Sequence, residues 1–78
     1  MVLACILVNC KRGEFSGVVE EIKSFEGVKS AFSTPGRWDV VVEVETTDLK
    51  SLTEVSLKIN GLGGVRATET LVEADIEN

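Results

Sequence analysis

An internal repeat runs through the chain. Gly27-Val28-Lys29-Ser30-Ala31 returns as Gly64-Val65-Arg66-Ala67-Thr68, an offset of 37 residues (64 − 27). The same offset carries Ile22 onto Ile59, and Leu3, Cys5 and Leu7 onto Val40, Val42 and Val44. Each half reads as strand, helix, glycine turn, strand. Two halves in series give β-α-β-β-α-β, which lays both helices on one face of a four-stranded antiparallel sheet and leaves the other face bare.

The local signals agree with that order. Residues 2–10 (VLACILVNC) are rich in Val, Ile and Leu without alternation, as in a strand covered on both faces. Phe15, Val18, Val19, Ile22 and Phe25 then recur at helical spacing, predicting a helix over residues 14–24 with Glu20, Glu21 and Lys23 outward. Gly17 within it is disfavoured against Ala unless it permits close packing on the sheet. A second strand over 28–33 leads to Thr34-Pro35-Gly36-Arg37, a strong turn signal, and a third strand runs from Trp38 to Thr46. Thr47 or Asp48 can cap a second helix whose inner stripe is Leu49, Leu52, Val55 and Ile59, and Asn60-Gly61 stops it. The last strand is expected over 65–76, with Glu77-Asn78 frayed. The fold class is α+β, a ferredoxin-like βαββαβ in one domain over residues 1–78.

A chain of 78 residues has little core of its own. Small domains are often reinforced by disulfides, metals or partner subunits. Cys5 and Cys10 lie five residues apart on one strand and point to opposite faces, so they cannot bridge. With no histidine and no CxxC spacing, no metal site or other cofactor is expected. Cys5 reads as a small buried apolar side chain, and Cys10 as the more exposed of the two. Free thiols suit a reducing compartment, and the cytoplasm is the expected location. The net charge of −5 and the lack of a basic run argue against autonomous nucleic-acid binding. The apolar start of the chain is too short to span a membrane.

Self-association remains. Under the 37-residue offset, Leu3, Cys5, Leu7, Val40, Val42 and Val44 face the helices, joined by Val28, Val65, Ala67 and Leu71. The opposite face then carries Ala4, Ile6, Val8, Asp39, Val41, Glu43, Arg66, Thr68, Thr70 and Val72. Its centre is apolar, and a patch of that kind marks an interface. A second copy related by a two-fold axis is the simplest cover. Ala4, Ile6, Val8, Val41 and Val72 are the expected dimer contacts, making a dimeric α+β barrel.

Two segments carry a family resemblance: Gly36-Arg37-Trp38-Asp39 and Gly64-Val65-Arg66-Ala67-Thr68-Glu69-Thr70. The chain resembles the stand-alone ligand-binding (RAM) domains of the Lrp/AsnC transcription regulators. In that family a Thr-Gly-x-aromatic-Asp turn opens the third strand and Gly-Val-x-x-Thr-x-Thr opens the fourth. This sequence departs from the pattern by placing Pro35 between Thr34 and Gly36. The resemblance implies sheet-face dimers, further assembled into rings such as octamers or decamers, with a free amino acid bound between dimers. By position, Gly36, Arg37, Trp38 and Asp39 would line the pocket, with Thr68 and Thr70 nearby. The helix-turn-helix half of the full-length regulators has no counterpart here, so any DNA reading would come from a full-length regulator that co-assembles with this chain.

The residues fit that chemistry independently. Amides at a glycine turn can hold a carboxylate, and Asp39 can hold an ammonium. Each also has an ordinary reading: a turn glycine, a cross-strand partner for Arg37 or Arg66, a buried tryptophan, two strand threonines. The same architecture hosts small enzymes of monooxygenase or isomerase type, and fold alone does not separate them. With no His, no Tyr and no nucleophile beside a base, no catalytic residues are expected. A purely structural oligomerisation module is the remaining alternative.

Overall fold

The structure, a computed structural model, describes residues 1–73. The elements run β1 (Val2–Cys10), α1 (Phe15–Lys23), β2 (Val28–Ser33), β3 (Val40–Thr46), α2 (Leu49–Asn60) and β4 (Val65–Val72). The sheet order is β2-β3-β1-β4, with every neighbouring pair antiparallel. This is the expected ferredoxin-like βαββαβ. The third strand starts at Val40 rather than Trp38, and the expected continuation of the last strand to Ile76, with the tail beyond it, lies outside the described residues. Among the described residues no helix is long and apolar enough to cross a membrane.

The two faces are assigned differently from the repeat-based expectation. Ala4, Ile6 and Val8 pair directly with Val44, Val42 and Val40, and all six are buried with Val18, Val19, Ile22, Leu52, Val55 and Ile59 of the helices. Ile6 and Val8 are 0% exposed within the single chain, so neither they nor Ala4 form a dimer surface. Leu3, Cys5 and Leu7, expected inside, lie on the helix-free face instead. The cause is a one-residue difference between the halves. The last residues of β1 and β3, Cys10 and Thr46, are 36 apart (46 − 10), whereas Val18 and Val55 in the helices are 37 apart (55 − 18). Side chains alternate with period two, so one residue of slip inverts a whole strand.

A second inversion occurs in β4. Cys10 pairs with Val65 but Asn9 pairs with Ala67, which makes Arg66 the extra residue of a β-bulge. Beyond it Thr68, Thr70 and Val72 stand beside Val8, Ile6 and Ala4 on the helix side, while Ala67, Glu69 and Leu71 take the open side. Val72 is therefore not an open-face contact, and neither Ala67 nor Leu71 faces the helices. β2 carries the matching bulge: its partner steps from Val44 to Glu43 between Val28 and Ser30, leaving Lys29 extra. The open face is thus made of Leu3, Cys5, Leu7, Asn9, Ser30, Phe32, Val41, Glu43, Glu45, Ala67, Glu69 and Leu71. Of the expected dimer contacts only Val41 is on it.

The helices bury the expected stripes apart from their N-terminal ends. Val18, Val19 and Ile22 of α1 and Leu52, Val55 and Ile59 of α2 are buried, while Phe15 and Leu49 are largely exposed. At 3.6 residues per turn, Leu49 stands about 90° from the centre of the stripe set by the other three. Asp48 caps α2 by accepting a hydrogen bond from the Ser51 amide at 2.8 Å. That bond to the charged form holds the Asp48 carboxyl below its usual range. A lowered carboxyl stabilises the fold above the unfolded value and stops doing so as pH falls through the folded value. Asp48→Ala should therefore lower the melting temperature at neutral pH, and the gap from the wild type should narrow as pH falls below the ordinary carboxylate value of about 3.9. Thermal denaturation followed by circular dichroism across pH checks this.

Close helix–sheet approach depends on Gly64, not on Gly17. A Cβ at Gly64 would lie 2.8 Å from Val18 Cγ2 and 2.9 Å from Glu14 Cβ, whereas at Gly17 it would meet nothing within 4 Å. Gly17→Ala should stabilise the chain by about 0.5–1 kcal/mol through helix propensity, and Gly64→Ala should destabilise it by about 1–3 kcal/mol through overpacking. Chemical denaturation midpoints of the two variants would move in opposite directions.

Candidate functional site

The turn from Thr34 to Asp39 is held at the end of the sheet where β1 and β2 finish and β3 begins. It is closed by its own groups. The Thr34 amide donates to the Asp39 carbonyl at 2.8 Å, and Thr34 Oγ1 donates to the Trp38 carbonyl at 2.7 Å. β1 anchors it from the side: the Asp39 amide donates to the Val8 carbonyl at 2.9 Å and Asn9 Nδ2 donates to the Arg37 carbonyl at 3.0 Å. The Asp39 carboxylate accepts from the Cys10 amide at 2.7 Å. Gly36 has φ +115, a conformation that side-chain-bearing residues rarely adopt.

These bonds engage the carbonyls of Arg37, Trp38 and Asp39. Among the described residues no protein group accepts from the amides of Gly36, Arg37 or Trp38. Gly36 and Arg37 are exposed, and Trp38 and Asp39 are half-buried. The arrangement presents N–H donors beside a fixed carboxylate, and this is the chemistry that a zwitterion requires. Three shallow depressions of the single chain lie elsewhere, on the open face and along the β2–α2 side.

Thr68 and Thr70 are not part of that cluster within one chain. On the helix side of β4, Thr68 Oγ1 donates to Asn60 Oδ1 and Thr70 Oγ1 hydrogen-bonds with Ser56 Oγ, each at 3.3 Å. The six expected site residues thus form two groups: the turn, and a row of hydroxyls beneath α2. Sequence reasoning passed over Asn9, Cys10 and Thr34, which fix the turn, and Ser56 and Asn60, which engage the threonines. The signals were present. Asn9 is a polar residue ending an apolar strand, and Ser56 and Asn60 stand four apart on one helix face.

The cysteines are free, and they exchange the burial expected of them: Cys10 is buried and Cys5 half-buried on the open face. Burial, with the charges of Asp39 near Cys10 and Glu43 near Cys5, pushes both thiols up, so neither is poised as a nucleophile. Among the described residues no group of three or more His, Cys, Asp and Glu side chains could hold a metal ion.

The bond from Cys10 makes Asp39 a structural residue as well as a candidate ligand group. Asp39→Ala strands a partly buried amide and should cost about 1–3 kcal/mol. Asp39→Asn keeps an acceptor oxygen there and should recover most of that loss, as denaturant titration of both variants would measure.

Comparison with known proteins was made against this geometry. Residues 3–74 match the family model described as the Lrp/AsnC ligand binding domain. The HTH-type transcriptional regulator FL11 of Pyrococcus horikoshii is 30% identical over 70 residues, covering 90% of this chain and 46% of the regulator. FL11 of Pyrococcus abyssi is 29% identical over the same shares. The chain spans about half the length of these regulators. Among solved structures, TTHA0845 from Thermus thermophilus superposes with a TM-score of 0.92 at 28% identity, covering 100% of this chain and 99% of that one. FFRP-DM1 gives 0.88 at 32% identity, covering 95% and 100%. The regulator NMB0573 from Neisseria meningitidis, solved as an L-Met complex, shares the fold at a TM-score of 0.78 and 19% identity, covering 95% of this chain and 50% of that one.

Proposed function

The chain belongs to the Lrp/AsnC ligand-binding domain family, and we propose that it binds a free amino acid at the subunit interfaces of a homo-oligomer and thereby modulates Lrp/AsnC-type transcription regulators. The observation that carries this reading is the Thr34–Asp39 turn, with unengaged amides beside a held carboxylate. The amides of Gly36 and Arg37 take the ligand carboxylate. Asp39 keeps one oxygen on the Cys10 amide and offers the other to the ammonium. Trp38 supplies an apolar wall. Thr68 and Thr70 act from a neighbouring subunit, since within one chain they stand on the other face of the sheet from the open side. The L-Met complex of a protein with this fold supports an amino acid as the ligand class.

The open face supports pairing with a second copy. Leu3, Phe32 and Leu71 are each more than 40% exposed there, around Leu7 and Val41. Covering such a patch is the dominant gain in most associations. Dimers then assemble into rings such as octamers or decamers, and a full-length regulator joins through the same contacts. The role is regulatory rather than catalytic, carried out in the cytoplasm without a cofactor and without direct contact to nucleic acid or membrane.

A thermal-shift screen against the common amino acids tests the ligand. At 100 times its dissociation constant, a ligand should add about 2.7 kcal/mol of stability. Asp39→Asn should remain folded and lose that response. Leu7→Asp, on the open face, should give a folded single chain that also fails to respond. A flat response to every amino acid would reject the sensor and leave a structural oligomerisation module.

A further inference from the structure

The open face has a carboxylate at its centre. β1 and β3 pair over seven positions, from Val2↔Thr46 to Val8↔Val40, and the middle one is Cys5↔Glu43. Because the sheet order is β2-β3-β1-β4, this pair is central across the strands as well as along them. Leu3 and Leu7 flank it on β1, Val41 on β3, and Phe32 and Leu71 on the outer strands. Ser30 Oγ donates to Glu43 Oε1 at 2.6 Å and fixes the side chain from β2. The other charged groups of the face are Glu69 on β4, Glu73 just beyond β4 in the same depression as Glu43, and Glu45 on β3, which is ion-paired with Lys29 of β2 at 3.1 Å. On β1 the facing titratable group is Cys5, whose raised thiol is uncharged at neutral pH. Among the described residues Glu43 forms no ion pair.

We infer that Glu43 sets the strength and selectivity of the contact between two copies of this chain. The inference rests on the sheet-on-sheet pairing proposed above. A two-fold axis that lets one face cover its own copy passes near the centre of that face, so a central residue meets its symmetry mate. Packed sheets lie about 10 Å apart, a gap that two opposed glutamate side chains fill. Two carboxylates brought together away from water repel, and they are accommodated when they share a proton. Lys29 does not relieve them, being engaged by Glu45 on its own chain. The contact therefore takes up a proton on forming. It also favours a partner chain that carries a neutral or cationic side chain at this position, since like charges brought together across an interface are costly.

Sedimentation of the full chain tests this with three variants. Glu43→Gln removes the central charge. Glu54→Gln removes an equal charge from the exposed side of α2 and controls for net charge. Glu43→Lys, mixed with wild type, offers the complementary face. At pH 7.5 Glu43→Gln should dimerise about tenfold more tightly than wild type, with Glu54→Gln unchanged. Wild-type and Glu54→Gln dimers should tighten as pH falls toward 5, while Glu43→Gln dimers should gain much less. Native mass spectrometry of the wild-type and Glu43→Lys mixture should find mixed dimers above the proportion that random pairing gives. Dimers with the same affinity, pH dependence and random mixing in every variant would overturn the role of Glu43 and leave the sheet-on-sheet reading standing. Chains that stay single in every variant would overturn both.

Discussion

The structure depends on how β1 sits between β3 and β4. β1 is one of the two central strands, paired with β3 on one side and β4 on the other, and its inward residues Ala4, Ile6 and Val8 set the register of the core. Opposite them stand Val44, Val42 and Val40, and over them lie Ile22 and Ile59, both 0% exposed. Burying a side chain of this size stabilises a fold by about 1.5–3 kcal/mol. A shift of one residue in β1 would put Leu3, Cys5 and Leu7 beneath the helices and expose all three core residues at once. The pairing and the packing therefore select the same register, and such agreement between levels is what gives a small chain a single native state.

The same alternation explains what was and was not legible in the sequence. Element order, helix stripes and turns followed from repetition and periodicity, because Val18 and Ile22 recur in the second half as Val55 and Ile59, four residues apart in each helix. Facing did not follow. It depends on parity, and parity is destroyed by any odd change in length. One such change lies between the strands and the helix stripes that cover them, since Val18 stands eight residues beyond the end of β1 (18 − 10) and Val55 nine beyond the end of β3 (55 − 46). The others are the bulges at Lys29 and Arg66, whose extra residues leave no mark on composition. Runs that are apolar on both faces, such as residues 2–10, offer no polar residue to betray the error.

The candidate site was legible in part for a related reason. Gly36, Arg37, Trp38 and Asp39 are contiguous, so a local motif keeps them together whatever the sheet does. Thr68 and Thr70 are placed by the bulge before them, and their side chains meet Asn60 and Ser56 of α2 rather than the turn. Asp39 combines two functions that a motif cannot separate. It ties the end of β1 to the start of β3 through the Cys10 amide, and it leaves an oxygen free at the rim of the turn. A site divided between two faces of one chain is naturally completed by a neighbour, which links ligand capture to assembly in the reading proposed here.

The paired bulges carry a consequence for solubility. β2 and β4 are the outermost strands, and an unprotected outer strand offers its unpaired backbone groups to any passing chain. Each has its extra residue near its first position, and each time that residue is basic, Lys29 in one and Arg66 in the other. A bulge sharpens the local coil of its strand, and a charge at the same spot must be desolvated before another strand can dock. Both margins of the sheet are thereby guarded against lateral zipping into fibrils.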